Sequence, residues 1–195
     1  MKKNIHHLIA IAFVAIIAAG CASAPSKFYT LNSTATAGGS PAVNCAIAVG
    51  PVTIPAAVDR PQFTVEVATN QVAVDEFNRW AEPLNENIAR VVAADLATLL
   101  GTPRVAAVPL ANFNPDYQVA INIQRFESEP GKLVRIDALW VIRKSAGGVS
   151  LSGHTVAGEP VSGSDYDALA AAHSRALAKV SGDIAAAIRA EAEAR

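Results

Sequence analysis

Residues 117–156 read YQVAINIQRFESEPGKLVRIDALWVIRKSAGGVSLSGHTV and contain three segments in which apolar and polar side chains alternate. Alternation of this kind is typical of strands that bury one face. Pro130-Gly131 and Ala146-Gly147-Gly148 separate the segments and mark turns between them. The stretch therefore predicts an antiparallel meander of three strands with one apolar face, the third strand reaching about Val156.

Two helices are predicted on one face of this sheet. The first lies between Pro83 and Gly101, because proline is tolerated in the first helical turn and glycine favours helix ends. Asp95 interrupts its apolar stripe, so we expect Asp95 to be solvated or to lie on the flank of the helix. The second helix is rich in alanine and runs from Tyr166 to about Ala192. Two helices on one face of a mostly antiparallel sheet give an α+β two-layer sandwich.

Shorter strands are expected ahead of the first helix. They lie at residues 28–31, 46–49 and 63–74. The last of these forms a hairpin that turns near Asn70. Residues 52–55 lie between prolines, which restrict them to an edge or an extended segment. Residues 32–41 are small and polar and contain two glycines, a composition that favours a flexible connection.

The amino terminus has the features of a secretory signal. Two lysines precede a short apolar run at residues 8–17, and small residues follow it. The run is about 10 residues long, whereas a helix needs about 20 to span a bilayer. Cys21 then stands where bacterial lipoproteins carry the cysteine that is linked to diacylglycerol and acylated at its new amino group, for example with palmitate. The sequence therefore predicts a signal peptide at residues 1–20 and lipid attachment at Cys21.

Two alternatives to lipidation remain open. Ordinary signal peptidase could cleave after Ala24, since residues 22–24 have the Ala-x-Ala form. The leader could instead stay uncleaved as an anchor, in which case Cys21 has no role.

Length and charge restrict the remaining possibilities. We expect a lipidated tether with a short edge strand at residues 21–43 and a single α+β domain at residues 44–195, a length that suits one domain. Without Lys2 and Lys3, 14 Lys and Arg side chains stand against 17 Asp and Glu, so the net charge is −3. No basic cluster is present, and this argues against a nucleic-acid partner.

No pattern in the sequence indicates an enzyme. His154 has Ser150 and Ser152 nearby, but a nucleophilic triad must converge in space, and the Gly-x-Ser-x-Gly elbow is absent. We expect His154 to be satisfied or to face solvent, and His173 to be packed or capping. No spacing indicates a metal ion or a cofactor. Cys45 lies in an apolar stretch and is expected to be a buried, inert thiol, with a regulatory thiol as the alternative.

Residues 75–83 read DEFNRWAEP and place two aromatic side chains between charges just ahead of the first helix. One interpretation is a loop in which Trp80 covers the edge of the core. The other is a recognition surface, because Trp, Phe and Arg are favoured at protein interfaces.

Four stretches point to a known family. They are KFYTL at residues 27–31, VGPVTIP at 49–55, DRPQ at 59–62, and FNRWAEPL at 77–84, which leads into NIAR at 87–90. In these stretches the chain resembles the ABC-type transport auxiliary lipoprotein family, which includes PqiC-like lipoproteins. The likeness extends from Cys21 to at least Leu100, and residues 56–58 depart from the usual residues of the family.

The resemblance implies a non-enzymatic, lipid-anchored accessory subunit of an intermembrane lipid transport system. Members of the family work with tunnel proteins of the MCE (mammalian cell entry) type and in many cases with an ABC transporter. The resemblance also implies the periplasmic face of the outer membrane, a ring of identical subunits, and phospholipid as a candidate ligand. We predict the partner interface at Asp59, Arg60, Phe77, Arg79 and Trp80.

Three other functions remain open. The main alternative is a lipoprotein that assembles or stabilises the envelope without any transport. A periplasmic hydrolase would need a cleft with a converging serine or carboxylate pair. In a further version, the domain itself binds lipid in an apolar groove.

Overall fold

The computed structural model describes residues 24–108, 111–148 and 150–194. The predicted signal peptide and Cys21 lie outside these ranges. The helices are α1 (Leu84–Leu100) and α2 (Tyr166–Glu193). The strands are β1 (Lys27–Tyr29), β2 (Ile47–Thr53), β3 (Gln62–Ala68), β4 (Gln71–Trp80), β5 (Val105–Ala107), β6 (Tyr117–Glu129), β7 (Leu133–Lys144) and β8 (Leu151–Pro160).

Five strands form the main sheet, in the order β5-β2-β6-β7-β8. Strands β6, β7 and β8 pair antiparallel and confirm the predicted meander, although β8 continues beyond Val156 to Pro160. Strand β2 is parallel to both of its neighbours, β5 and β6. Alternate side chains such as Val119, Ile136 and Ala157 are buried in the core on which the helices pack.

A separate three-stranded sheet has the order β1-β4-β3. Thr69 and Asn70 connect β3 to β4, which confirms the predicted hairpin. Strand β1 is parallel to β4. The predicted α+β class with two helices is confirmed, but the strands form two mixed sheets rather than one mostly antiparallel sheet. Strand order depends on contacts between distant segments, and local periodicity does not encode such contacts.

Both predicted helices are confirmed. Gly101 follows α1 with a φ of 65°, a left-handed conformation that glycine adopts without strain, and its N–H donates to the Ala97 carbonyl. Asp165 caps α2, where its carboxylate accepts a hydrogen bond from the Ala168 N–H at 2.8 Å. The predicted stripe of α2 is buried and consists of Leu169, His173, Ala176, Leu177, Val180, Ile184 and Ile188. Within the described ranges, no helix has the length and hydrophobicity to cross a bilayer.

Asp95 does not lie on a solvated flank of α1, and that prediction is wrong. Its side chain is completely buried. The hydroxyls of Ser33 and Ser181 donate to its carboxylate at 2.6 and 3.0 Å, and the Ala35 N–H donates at 3.2 Å. A buried carboxylate is tolerated here because these donors replace water. Asp95 therefore belongs to the contact between α1 and α2.

Residues 32–35, the first part of the predicted flexible connection, instead pack on the helices together with Leu31. Leu31 is completely buried, and its N–H donates to the Asn87 side chain at 2.8 Å. The Asn32 N–H donates to the Ser174 hydroxyl at 3.1 Å, and the Thr34 hydroxyl donates to the Ser174 carbonyl at 3.2 Å. We call residues 31–35 the strap. Its small polar side chains would leave an isolated chain flexible, but here buried partners on α1 and α2 hold it.

Val52 and Thr53 belong to β2 rather than to a separate segment. The register of β2 against β6 shifts between Val49 and Val52, where Pro51 lies. Beyond this shift, the described pairs of β2 are with β6, and those with β5 involve residues 47–49. Among the described residues, the proline thus lies where β2 pairs with β6 and no longer with β5, a setting in which a sheet tolerates proline.

Candidate functional site

The segment predicted as an interface forms the last part of β4 and contains a bulge. Phe63 pairs with Asp75, but the preceding residue of β3, Gln62, pairs with Arg79, so residues 76–78 are left out of the backbone pairing with β3. The Asp75 carboxylate accepts hydrogen bonds from the backbone N–H groups of Phe77 and Asn78, at 2.8 and 2.9 Å. These bonds fix the backbone of the bulge.

Asp75 also connects the bulge to α2. The Tyr166 hydroxyl donates to its second carboxylate oxygen at 2.9 Å. Burial opposes the charge of Asp75, yet the hydrogen bonds it accepts outweigh burial and hold the pKa of this carboxyl below its usual range. Burial and the Asp75 carboxylate together raise the pKa of Tyr166 to about 12, so the phenol remains a donor at neutral pH.

Phe77 is the exposed aromatic residue of the bulge, with 45% of its surface accessible. Arg79 is half-buried beside it. The Arg79 Nε donates to the Glu76 carbonyl at 2.8 Å, and its guanidinium lies 3.5 Å from the Glu76 carboxylate. Phe28, which pairs with Arg79 across β1 and β4, is a second exposed aromatic residue. Sequence reasoning placed Phe28 in a strand but did not select it for the interface, because only the parallel pairing of β1 with β4 brings it to this surface.

Trp80 lies mostly in the core, with 5% of its surface accessible. Its ring stacks on Phe63 with centroids 4.0 Å apart and meets Phe126 edge-on at 6.1 Å. Its backbone N–H donates to the Pro61 carbonyl at 2.7 Å. Of the two interpretations of this segment, the structure therefore gives Trp80 the role of covering the edge of the core.

A groove of about 390 Å³ adjoins Trp80 and is lined by Asp59, Arg60, Pro61 and residues 80–84. The side chains of Asp59 and Arg60 are exposed, and neither makes a hydrogen bond or an ion pair with another residue of the described ranges. The groove thus combines an apolar floor with a rim that carries one free charge of each sign. Protein interfaces commonly have this arrangement of apolar centre and polar rim. No direct observation tests the interface role of the five predicted residues, which stays a prediction.

An aromatic cluster under the groove joins the small sheet to the rest of the domain. Tyr166 at the start of α2 meets Phe63 edge-on, with centroids 5.1 Å apart, and Tyr29 lies 5.7 Å from Phe63. At the other end, Phe126 stacks on His173 at 3.9 Å. We call this set the aromatic cluster. It consists of Tyr29, Phe63, Trp80, Phe126, Tyr166 and His173.

His173 is packed, as predicted. It is completely buried, and its Nε2 lies 2.8 Å from the Ser128 hydroxyl. Burial lowers the pKa of His173 to about 3, so the ring is neutral at physiological pH. A neutral ring parallel to Phe126 fits an apolar setting, and this position gives it no access to a substrate in solvent.

The other candidates for chemistry do not converge. The His154 Nε2 lies 2.7 Å from an Asp137 carboxylate oxygen on the exposed face of the main sheet, which agrees with the expectation that His154 is satisfied and faces solvent. In the described ranges, no hydrogen bond joins His154 to Ser150 or Ser152. Cys45 is buried, as predicted. The described residues also contain no group of three or more His, Cys, Asp or Glu side chains placed to hold a metal ion.

Comparison with models of protein families gives a match over residues 29–185 to the ABC-type transport auxiliary lipoprotein component. Among solved structures, the chain is similar to an uncharacterized protein with a TM-score of 0.70 and 20% identity, over 85% of this chain and 99% of that chain. It is also similar to protein XCC0632 from Xanthomonas campestris with a TM-score of 0.68 and 22% identity, over 82% of this chain and 92% of that chain. At these identities the two structures support the fold alone. Comparison with curated proteins gives no match.

Proposed function

Because the chain belongs to the ABC-type transport auxiliary lipoprotein family, we propose that it is the non-enzymatic subunit through which a periplasmic lipid conduit docks at the outer membrane. In this proposal the conduit is a tunnel protein of the MCE type, driven by an ABC transporter. Phospholipid passes between the membrane leaflet and the conduit, and several copies of the subunit surround its end. The observation that carries the docking role is the exposed Phe77 on a hydrogen-bonded bulge, three residues along β4 from Trp80, which lines a groove with an apolar floor and a charged rim.

The anchor in this proposal is a lipidated Cys21, which precedes Lys27 of β1 by six residues. Two or three acyl chains make attachment effectively permanent, because each buried methylene contributes about 0.8 kcal/mol. Six residues span at most about 22 Å when fully extended. The domain is therefore held next to its membrane. Ala22, rather than an aspartate, follows the cysteine, and this favours export to the outer membrane over retention in the inner membrane.

The docking surface in this proposal consists of Asp59, Arg60 and Trp80, which line the groove, and of Phe77 and Arg79 on the part of β4 that leads to Trp80. Phe77 supplies the apolar contact, and the fixed bulge reduces the entropy that binding would otherwise cost. The free charges of Asp59 and Arg60 select a partner with complementary charges.

The test compares Phe77→Ala with Leu139→Ala, both in the full chain. The two side chains are matched, because they are 45% and 44% exposed, but Leu139 lies on the main sheet away from the groove. We expect Phe77→Ala to reduce co-purification of the MCE-type partner from the envelope about tenfold or more, as for a residue at the centre of an interface. Leu139→Ala should leave it unchanged, and both variants should keep the wild-type free energy of unfolding within about 0.5 kcal/mol.

Equal recovery of the partner with both variants would contradict the docking surface. If the wild-type chain recovers no MCE-type protein, yet its loss makes cells sensitive to detergent, the alternative of an envelope lipoprotein without transport is favoured instead. Mass spectrometry of the mature amino-terminal peptide tests the anchor separately, since an unmodified Cys21 would exclude lipid attachment.

A further inference from the structure

The tip of the β3–β4 hairpin carries no charge, and valines flank its polar turn at residues 69–71. Residues 67–74 read VATNQVAV, and the side chains of Val67, Val72 and Val74 are exposed. Hairpin tips and sheet edges that face water usually carry charged residues, which prevent unwanted association. We call residues 67–74 the hairpin tip. Three exposed valines at one end of a hairpin point to a surface that is covered in the cell.

The direction of β1 leads the chain back toward the hairpin tip. Because β1 is parallel to β4 and Lys27 pairs with Asn78, the amino-terminal end of β1 points the same way as the start of β4 at Gln71. The distance from Asn78 back to Gln71 is about 23 Å at about 3.3 Å per residue. Cys21 precedes Lys27 by six residues, so it can reach up to about 22 Å in that direction. A lipid anchor at Cys21 can therefore reach the side of the domain on which the hairpin tip lies.

The charged side chains beside the hairpin tip are balanced in sign. A cleft next to Val67 is lined by Arg125, Lys132 and Arg135, together with Glu66, Glu127 and Glu129. Arg125 and Arg135 form ion pairs with Glu127 at 3.8 and 3.0 Å, and Lys132 forms one with Glu129 at 3.4 Å. Lys132 is the most accessible of these cations, with 76% of its side chain exposed, and an accessible lysine close to a membrane is attracted to anionic lipid headgroups.

We infer that the hairpin tip lies against the bilayer that holds the acyl chains of Cys21, so that Val67, Val72 and Val74 contact the lipid surface. This inference rests on the lipid attachment that is part of the proposed function. The valines need to contribute little affinity, because the anchor already keeps the domain at a high effective concentration near the membrane. Their effect is to orient the domain. Strand β4 has ten residues and spans about 33 Å from the hairpin tip to Trp80. The groove lies at the Trp80 end of the strand, so the groove faces away from the membrane toward an approaching partner.

The test uses the full-length lipoprotein, purified and reconstituted in vesicles of phosphatidylethanolamine and phosphatidylglycerol. An environment-sensitive dye is attached in Val72→Cys and, as a control, in Val156→Cys. The two valines are 55% and 59% exposed, but Val156 lies on the main sheet. Cys45 is buried and the Cys21 thiol carries lipid, so the new cysteine is the one that reacts. With the dye at position 72, we expect vesicles to shift the emission to the blue and quencher-labelled lipids to quench it at least fivefold more strongly than at position 156. With the dye at position 156, the emission should not change on addition of vesicles.

Three outcomes would overturn the inference. In the first, mass spectrometry shows that Cys21 is lipidated, but the dye at position 72 stays in an aqueous environment. This result overturns the membrane contact and leaves the anchor intact. A blue shift at position 72 that appears without vesicles and rises with protein concentration shows that a second copy covers the tip. An unmodified Cys21 removes the anchor and the inference together. Hydrogen exchange of residues 67–74 in the unlabelled wild-type chain gives a second measurement, in which vesicles should slow exchange if the tip contacts lipid.

Discussion

At the scale of single residues, Asp95 shows how a polar side chain within an apolar stripe is explained by its partners. It lies on α1 and accepts hydrogen bonds from both the strap and α2. Hydrophobic periodicity locates such a residue on the buried side or the flank of a helix, but it does not reveal whether hydrogen-bond donors lie close to the side chain. In this chain the donors come from residues 62 positions before Asp95 and 86 positions after it.

Replacing Asp95 by alanine should strongly destabilise the domain. Asp95→Ala leaves the Ser33 and Ser181 hydroxyls and the Ala35 N–H without their acceptor, and we expect a loss of about 2–4 kcal/mol in the free energy of unfolding. Glu86→Ala is the control, because Glu86 is an exposed acid on the same helix and its loss should cost no more than about 0.5 kcal/mol. Urea unfolding of both variants measures the difference. An equal change in the free energy of unfolding for Asp95→Ala and Glu86→Ala would show that the buried hydrogen bonds of Asp95 do not stabilise the domain.

His173 should make the stability of the domain depend on pH. Burial lowers its pKa to about 3 in the folded state, whereas an unfolded histidine titrates near 6.5. Between these two values the unfolded chain binds a proton that the folded chain does not, so stability falls as the pH falls. From pH 7 to pH 5 the expected loss from this residue is about 2 kcal/mol. Urea unfolding at both pH values, for wild type and His173→Gln, checks this. The decrease should be smaller by about 2 kcal/mol in the variant, and identical decreases would contradict the prediction.

At the scale of secondary-structure elements, the pairing of β7 with β8 depends on a glycine. Trp140 pairs with Gly153 across the two strands, and its indole N–H donates to the Thr155 hydroxyl at 3.1 Å. The Thr155 hydroxyl in turn donates to Asp183 on α2 at 2.6 Å. A Cβ on Gly153 would lie 2.1 Å from the indole ring, which these hydrogen bonds hold in place.

Gly153→Ala should therefore destabilise the domain, by about 1–3 kcal/mol, because the indole ring must move to make room. Gly182→Ala is the matched control, since Gly182 lies within α2 and a Cβ there would meet nothing within 4 Å. Alanine is the better helix former, so Gly182→Ala should stabilise the domain by about 0.5–1 kcal/mol. Thermal and urea unfolding give both values. A Gly153→Ala protein as stable as wild type would show that the indole ring adapts without cost.

At the scale of the whole molecule, the aromatic cluster attaches the small sheet to the rest of the domain. The small sheet carries the groove and bulge at one end of β4 and the hairpin tip at the other. Its position relative to the main sheet therefore determines how the two surfaces are presented. Trp80 is central to this attachment, because it contacts both Phe63 of the small sheet and Phe126 of the main sheet.

Trp80→Ala should loosen this attachment. Removal of a buried indole typically costs about 3–5 kcal/mol in the free energy of unfolding. Hydrogen exchange should accelerate most in β3 and β4, because the small sheet loses a stacked partner. Phe77→Ala, which removes an exposed ring from the same strand, should leave exchange in β3 unchanged. An equal effect of the two substitutions on stability would show that Trp80 contributes no more than a surface residue.

The candidate site could be predicted only in part. The aromatic and charged residues 75–80 were recognised from their composition, and the burial of Cys45 and His173 followed from apolar surroundings in the sequence. The bulge was not predictable, because it arises where three residues of β4 are left out of the backbone pairing with β3. Phe77 is exposed and Trp80 is buried, and the two lie three residues apart, a separation that places side chains on opposite faces of a strand.

The α+β class, both helices, the meander of β6 to β8 and the hairpin at Asn70 were predictable from sequence, because periodicity, turn residues and helix ends are local properties of the chain. Tertiary structure alone decided that the strands divide into two mixed sheets, that the strap is held on the helices, and that Asp95 is buried. Each of these depends on partners far away in the chain, such as Leu31 with Asn87 and Asp95 with Ser181. The parallel pairing of β1 with β4 belongs to the same group, and through it the amino-terminal end of β1 points the same way as the start of β4 at the hairpin tip.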